Sequence, residues 1–185
     1  MDARLNQSGC CLIVLAEWKK KVYDFSKGIR AISSSIRRSI PAFLDSKIHH
    51  NNMLSLVIAK IHANIAGYDA AVMLDERGFV AELNDTNLFM LKGDTVFTPF
   101  AHACLPGITR QTFIDLLKEN KMKVQERDLS LVEFINADLV FATGTNGEIT
   151  PVTEMDGREI KCNMKFLEKI KNLFESKLSS LCEPL

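Results

Sequence analysis

The chain has 185 residues, of which 46% are hydrophobic and 25% charged, a balance that suits one globular domain with a core of ordinary size. Lysine plus arginine and aspartate plus glutamate both number 23, so the formal charge is zero and nothing in it points to a nucleic-acid or membrane surface. The expected partner is a small molecule or a second copy of the chain. Five cysteines, an odd number with no CxxC pair, speak for free thiols in a reducing compartment, the cytoplasm, rather than a disulfide scaffold or a zinc site.

Met1 to Gly9 is polar and without pattern, and Cys10 to Ala16 is apolar but shorter than the roughly 20 residues a bilayer span needs. Lys19, Lys20 and Lys21 stand where a signal peptide would carry its cleavage site, so the stretch CLIVLAEW reads as an interior strand. Gly28 to Arg38 alternates as a half-buried strand with Ile29, Ala31 and Ser33 on one face; Arg37 and Arg38 at its end could reach an anionic substrate, but a solvated pair is the commoner case. Pro41 ends that segment. Leu54, Val57, Ile58, Ile61 and Ile65 recur at helical spacing before Gly67, which predicts a helix from Met53 to Ala66 packed on a core. Ala70 to Leu74 is a strand, Asp75 to Gly78 a turn, and Phe79, Val80 and Ala81 a strand with the carboxylate of Glu82 at its end.

Asn87 to Leu91 and Thr95 to Thr98 read as strands joined by the turn Lys92-Gly93-Asp94. Leu105-Pro106-Gly107-Ile108-Thr109-Arg110 then breaks the strand pattern and opens a helix marked by Phe113, Leu116 and Leu117. The free backbone N–H groups near Ile108, Thr109 and Arg110, with the Thr109 hydroxyl, form a site for an anion such as phosphate. Met122 to Glu126 is a strand, and Ser130 with Glu133 a capping box. The apolar strand Leu139 to Ala142 runs into Thr143-Gly144-Thr145-Asn146-Gly147, a loop whose N–H groups can meet a phosphate or carboxylate. Glu148 to Val152 is a further strand, and Phe166, Leu167, Ile170, Leu173, Phe174 and Leu178 form an amphipathic helix over the sheet. His49 and His50 are adjacent, point different ways and have no acid or cysteine at ligand spacing, so no metal is expected. Cys104 reads as a small buried thiol.

Several of these stretches, in order, resemble the carboxy-terminal part of the class IV, fold-type IV aminotransferases, most of all the branched-chain amino acid subgroup. They are Leu15-Ala-Glu-Trp18, Lys47 to Leu54, Gly78 to Glu82, Thr86 to Phe89, Leu105 to Arg110, Thr143 to Thr145 and Glu148 to Val152, and they span roughly Leu12 to Ile160. The resemblance implies an α+β fold, a mixed sheet or barrel-like core with flanking helices. It also implies that residues 1–26 are a remnant of the small domain and the interdomain segment, that 27–185 form the domain that binds pyridoxal 5′-phosphate, and that the rest of the small domain is absent from the chain.

The resemblance further assigns roles. Lys47 becomes the catalytic amine that joins the cofactor's aldehyde, Glu82 the carboxylate that keeps its ring nitrogen protonated, and Ile108, Thr109 and Thr145 the phosphate contacts, with Gly144 and Asn146 near the substrate carboxylate. The implied reaction is transamination of branched-chain L-amino acids with 2-oxoglutarate, carried out by a homodimer. Aminodeoxychorismate lyase, D-amino acid transaminase and a non-catalytic truncated relative are the alternatives within the same fold. Three positions depart from the branched-chain pattern: Lys47 lies one residue further from Gly67, Asn84 replaces a small residue, and Met53 stands where a tyrosine would hydrogen-bond the cofactor's ring oxygen.

Overall fold

The computed structural model describes Gly9, residues 11–18, residue 20 and residues 22–181, the last without its side chain. Met1 to Ser8, Cys10, Lys19 and Lys21, on which part of the amino-terminal reading rests, lie outside the described residues, as do residues 182–185. Among the described residues nine strands form one mixed sheet: β1 (Ile29–Arg37), β2 (Ala70–Leu74), β3 (Val80–Leu83), β4 (Asn87–Lys92), β5 (Thr95–Thr98), β6 (Lys123–Glu126), β7 (Leu139–Gly144), β8 (Glu148–Met155) and β9 (Arg158–Glu159). Four helices flank it: α1 (Leu54–Ile65), α2 (Ile108–Glu119), α3 (Leu131–Ile135) and α4 (Met164–Leu181).

The strand order is β3-β2-β1-β8-β7-β4-β5-β6, with β9 attached to β8. β1 runs parallel to both β2 and β8, and β5 parallel to β6, while the other pairs are antiparallel. The sheet curls into a half-barrel, and the tight turn from β3 to β4, where the Leu83 N–H donates to the Thr86 carbonyl at 2.8 Å, brings one end of the sheet back to its middle. The site described below sits at that return.

β4 and β7 are apolar on both faces because both faces are covered. Inside the curl, Leu88, Met90, Val140 and Ala142 meet Ile29, Ala31, Val72, Leu83, Val152 and Met155. On the outer face Phe89, Leu91, Leu139 and Phe141 pack against Phe113, Ile114 and Leu117 of α2 and Leu167, Ile170 and Phe174 of α4. Phe89 stacks on Phe141 with ring centroids 5.2 Å apart, and Phe113 on Phe174 at 4.8 Å. The capping box is formed: the Glu133 N–H donates to Ser130 Oγ, and Glu133 accepts from the Ser130 N–H at 2.9 Å.

Two expectations are corrected. The stretch 11–18 joins no strand, and Leu12, Ile13, Val14, Leu15 and Trp18 are exposed; its apolar character does not come from burial within this chain. Helix α1 forms where its spacing places it, but the stripe of Leu54, Val57, Ile61 and Ile65 faces solvent. The face that packs is instead Ala59 and Ala63, which approach Ala71 and Met73 closely because they are small.

Candidate functional site

Glu82 lies in β3 between the buried Ala81 and Leu83, and its own side chain is buried. Burial of a carboxylate is costly unless it is paired and hydrogen-bonded. Here Oε1 is 2.9 Å from Arg38 Nε, Oε2 accepts from Asn87 Nδ2 at 3.3 Å, and the Leu105 N–H donates to the same carboxylate. Arg38 also donates to the Ala103 carbonyl at 3.0 Å. Burial pushes Glu82 up from the usual carboxylate range to about 8, an effect that Arg38 and the Leu105 N–H oppose and the nearby Asp85 reinforces. Arg38 is therefore no solvated strand-end residue: it is the buried counter-ion of the site's acid.

Asn87 carries the next step. Its Nδ2 also donates to the Leu105 carbonyl at 3.0 Å, so β4 is tied to the turn that opens α2. A Cβ on Gly107 would come within 2.3 Å of Asn87 Oδ1, and only glycine allows this approach. Gly107 is the N-cap of α2 and no side chain caps the helix, so the N–H groups of Ile108, Thr109 and Arg110 have no intrahelical partner. The Arg110 side chain is buried and turned away from that end, donating to the Pro99 carbonyl at 2.8 Å and to Glu126 at 2.6 Å. It ties the first turn of α2 to β5 and β6.

A cavity of about 400 Å³ opens between these groups. Its wall includes Glu82, Asn87, Gly107, Ile108, Thr109, Thr143, Gly144, Thr145 and Asn146. The cavity thus joins the buried acid to the uncapped helix end, and every residue assigned in sequence to the ring nitrogen, the phosphate and the substrate carboxylate lies on it. Gly144 is needed as glycine, because a Cβ there would meet Thr86 Cγ2 at 2.8 Å.

Lys47 is placed elsewhere. It lies in the segment between β1 and α1, its Nζ 3.7 Å from Asp45, and it lines a separate depression with Asp75, Arg77 and His102. The segment presents His49 to the cavity instead, and on the other side of Glu82 a smaller cavity of about 110 Å³ is lined by Arg38, Ser46, His50 and Met53. Asp85 and Val22 also line the cavity and were passed over in the sequence reading: the Tyr23 hydroxyl donates to Asp85 at 2.8 Å, and the Val22 N–H to the Asn146 carbonyl at 3.4 Å. Burial and Asp85 together push the Tyr23 phenol up. Cys104, beside the Glu82 pair, is buried, and burial with the Glu82 charge pushes its thiol up to about 12. Among the described residues no group of three His, Cys, Asp or Glu side chains is placed to hold a metal ion, and no helix is long and apolar enough to cross a membrane.

Residues 5–155 match the sequence profile described as Amino-transferase class IV. The branched-chain-amino-acid aminotransferase-like protein 2 of Arabidopsis thaliana is 52% identical over 160 residues, which are 86% of this chain and 29% of that protein. The branched-chain amino acid aminotransferase of Escherichia coli superposes with a TM-score of 0.75 at 36% identity, covering 79% of this chain and 51% of that one. That of Thermobaculum terrenum, solved in its PLP form, superposes with a TM-score of 0.77 at 29% identity over 80% of this chain and 50% of that one. The chain therefore spans about half the length of these solved relatives and less than a third of the plant one. Its half-barrel and helices are those of the fold-type IV enzymes, and the chain belongs to the class IV aminotransferases.

Proposed function

We propose that this chain provides the cofactor-binding domain of a pyridoxal-phosphate-dependent transaminase acting on branched-chain L-amino acids, with 2-oxoglutarate as the acceptor. The observation that carries this reading is the cavity itself, which places a buried carboxylate and an uncapped helix N-terminus on one wall. The donor set fits the group. Glu82 would hold the protonated ring nitrogen, the N–H groups of Ile108 and Thr109 with the Thr145 hydroxyl would hold the phosphate, and Gly144 and Asn146 would meet the substrate carboxylate. When bound, pyridoxal phosphate supplies an aldehyde that takes up the amino group and a ring that accepts electrons released at Cα.

The chain's own residues supply the rest. Glu82, held by Arg38, Asn87 and the Leu105 N–H, would in its ionised form accept from the protonated ring nitrogen. Lys47 would be the base that takes the proton from Cα, which requires its segment to turn it from its present depression toward the cavity. The contact that it would give up is the pair with Asp45, a half-exposed interaction of about 0–1 kcal/mol. The open stripe on α1 supports a homodimer, since Leu54, Val57, Ile61 and Ile65 give an apolar face that a second copy would cover. Free thiols at Cys11, Cys104 and Cys162 accord with a cytoplasmic setting.

Addition of L-leucine to the chain preloaded with pyridoxal phosphate tests the activity. The expected result is conversion of the cofactor spectrum to that of the pyridoxamine form, with D-leucine inert. Conversion by the D-isomer alone, or by neither, contradicts the reading.

A further inference from the structure

We propose that the Thr143 hydroxyl is a further phosphate ligand of this cavity, donating a hydrogen bond to the phosphoryl group that the α2 turn and Thr145 receive; the inference rests on the reading of the cavity given above. Thr143 lies in β7 directly opposite Asn87 of β4, and it is buried with 2% of its surface exposed. Its Oγ1 has no hydrogen-bond partner among the described residues. Buried hydroxyls nearly always have one, because leaving the group unpaired costs stability. Asn87, directly across the strand pair, turns its Nδ2 to Glu82 and to the Leu105 carbonyl.

The direction of the side chain follows from the strand. Thr143 continues the face of β7 that carries Leu139 and Phe141, which pack on α2. One step beyond that apolar layer the same face borders the cavity, beside the start of α2. A valine would fill the same volume without an unpaired hydroxyl, so threonine makes sense at this position when something in the cavity accepts its proton. The acceptor best matched to the uncapped N–H groups at the start of α2 is a phosphate oxygen.

Thr143→Val separates this role from a structural one, because the two predict opposite signs. The expected outcome is that pyridoxal phosphate and inorganic phosphate bind about tenfold more weakly, pyridoxal binds as before, and the melting temperature of the ligand-free chain stays equal or rises. Thr143→Ser, which keeps the hydroxyl, restores phosphate binding. Unchanged affinity in Thr143→Val, an equal loss for pyridoxal, or a variant that melts lower or fails to fold would overturn the proposal. A wild-type chain that binds neither phosphate compound overturns the transaminase reading and this inference together, whereas wild-type binding with an indifferent Thr143→Val overturns this inference alone.

Discussion

The two walls that a cofactor would have to meet are built in different ways. The wall of Glu82, Asn87, Thr109 and Thr143 is made from strand residues and a helix start, and its polar groups are fixed by contacts far apart in sequence, such as Arg38 to Glu82 and Asn87 to Leu105. The segment that carries Lys47 runs between β1 and α1 without regular structure, and much of its hydrogen bonding is local: Leu44 to Ile40, Ile48 to Asp45, Lys47 to Asp45 and Ser46 to Ser39. The proposed binding groups thus sit on a frame of strands and a helix start, and the amine proposed to turn toward them sits on a segment held mostly by local contacts. Mutations should separate accordingly: large stability effects on the frame, large chemical effects with little loss of stability on the segment.

The largest stability effect is expected for Glu82→Ala measured above pH 8, where Glu82 is ionised; it leaves the nearly buried Arg38 unpaired and should cost about 3–5 kcal/mol in denaturant unfolding. Arg38→Ala should cost a similar amount, and the double variant less than the sum. A strictly additive pair would break the view that these residues act as one unit. Gly107→Ala should follow at about 1–3 kcal/mol, because the new Cβ displaces Asn87 and with it the link to Glu82. Its affinity for pyridoxal phosphate should fall as well, and unaltered binding would show that the turn does not need its close approach.

A smaller effect appears as pH dependence. Burial raises Glu82 from 4.5 to about 8, so in that interval the folded state keeps a proton that the unfolded state has lost. The contribution of Glu82 to stability is then present below about pH 4.5 and declines as pH rises toward 8. Melting curves of the wild type should show this decline, and Glu82→Gln should flatten it. A matching slope in the variant would assign it to other groups. The smallest effect on intrachain stability belongs to α1: Val57→Ser with Ile61→Ser, both on the exposed stripe, should change monomer stability by no more than about 0.5 kcal/mol. Sedimentation should nevertheless show loss of self-association, and an unchanged oligomeric state would remove the stripe from the interface.

The hairpin of β4 and β5, helix α2 and the Ser130–Glu133 box were legible because turn, breaker and capping residues act over a few positions. The resemblance assigned roles to Glu82, Ile108, Thr109, Gly144, Thr145 and Asn146, and the fold brings all six to the border of one cavity. Periodicity misled at α1, since it marks an apolar face without saying whether this chain covers it, and here alanines rather than Val57 or Ile61 do the packing. The same holds for 11–18, apolar yet unpaired. Arg38 was read as solvated because its partner lies 44 positions away, a pairing set by the curl of the sheet; the one available signal was that a buried Glu82 requires a cation. Thr143 gave no sign of its unpaired hydroxyl, which depends on what its neighbours bind.

The central claim is that Lys47 serves the cavity walled by Glu82 and Thr109. Its most direct test is borohydride reduction of the chain mixed with pyridoxal phosphate, followed by peptide mapping, with Lys47→Ala beside it. The account predicts one pyridoxyl group on Lys47, none in the variant, and variant stability within about 0.5 kcal/mol of the wild type. Attachment spread over surface lysines, or retained in Lys47→Ala, would contradict it.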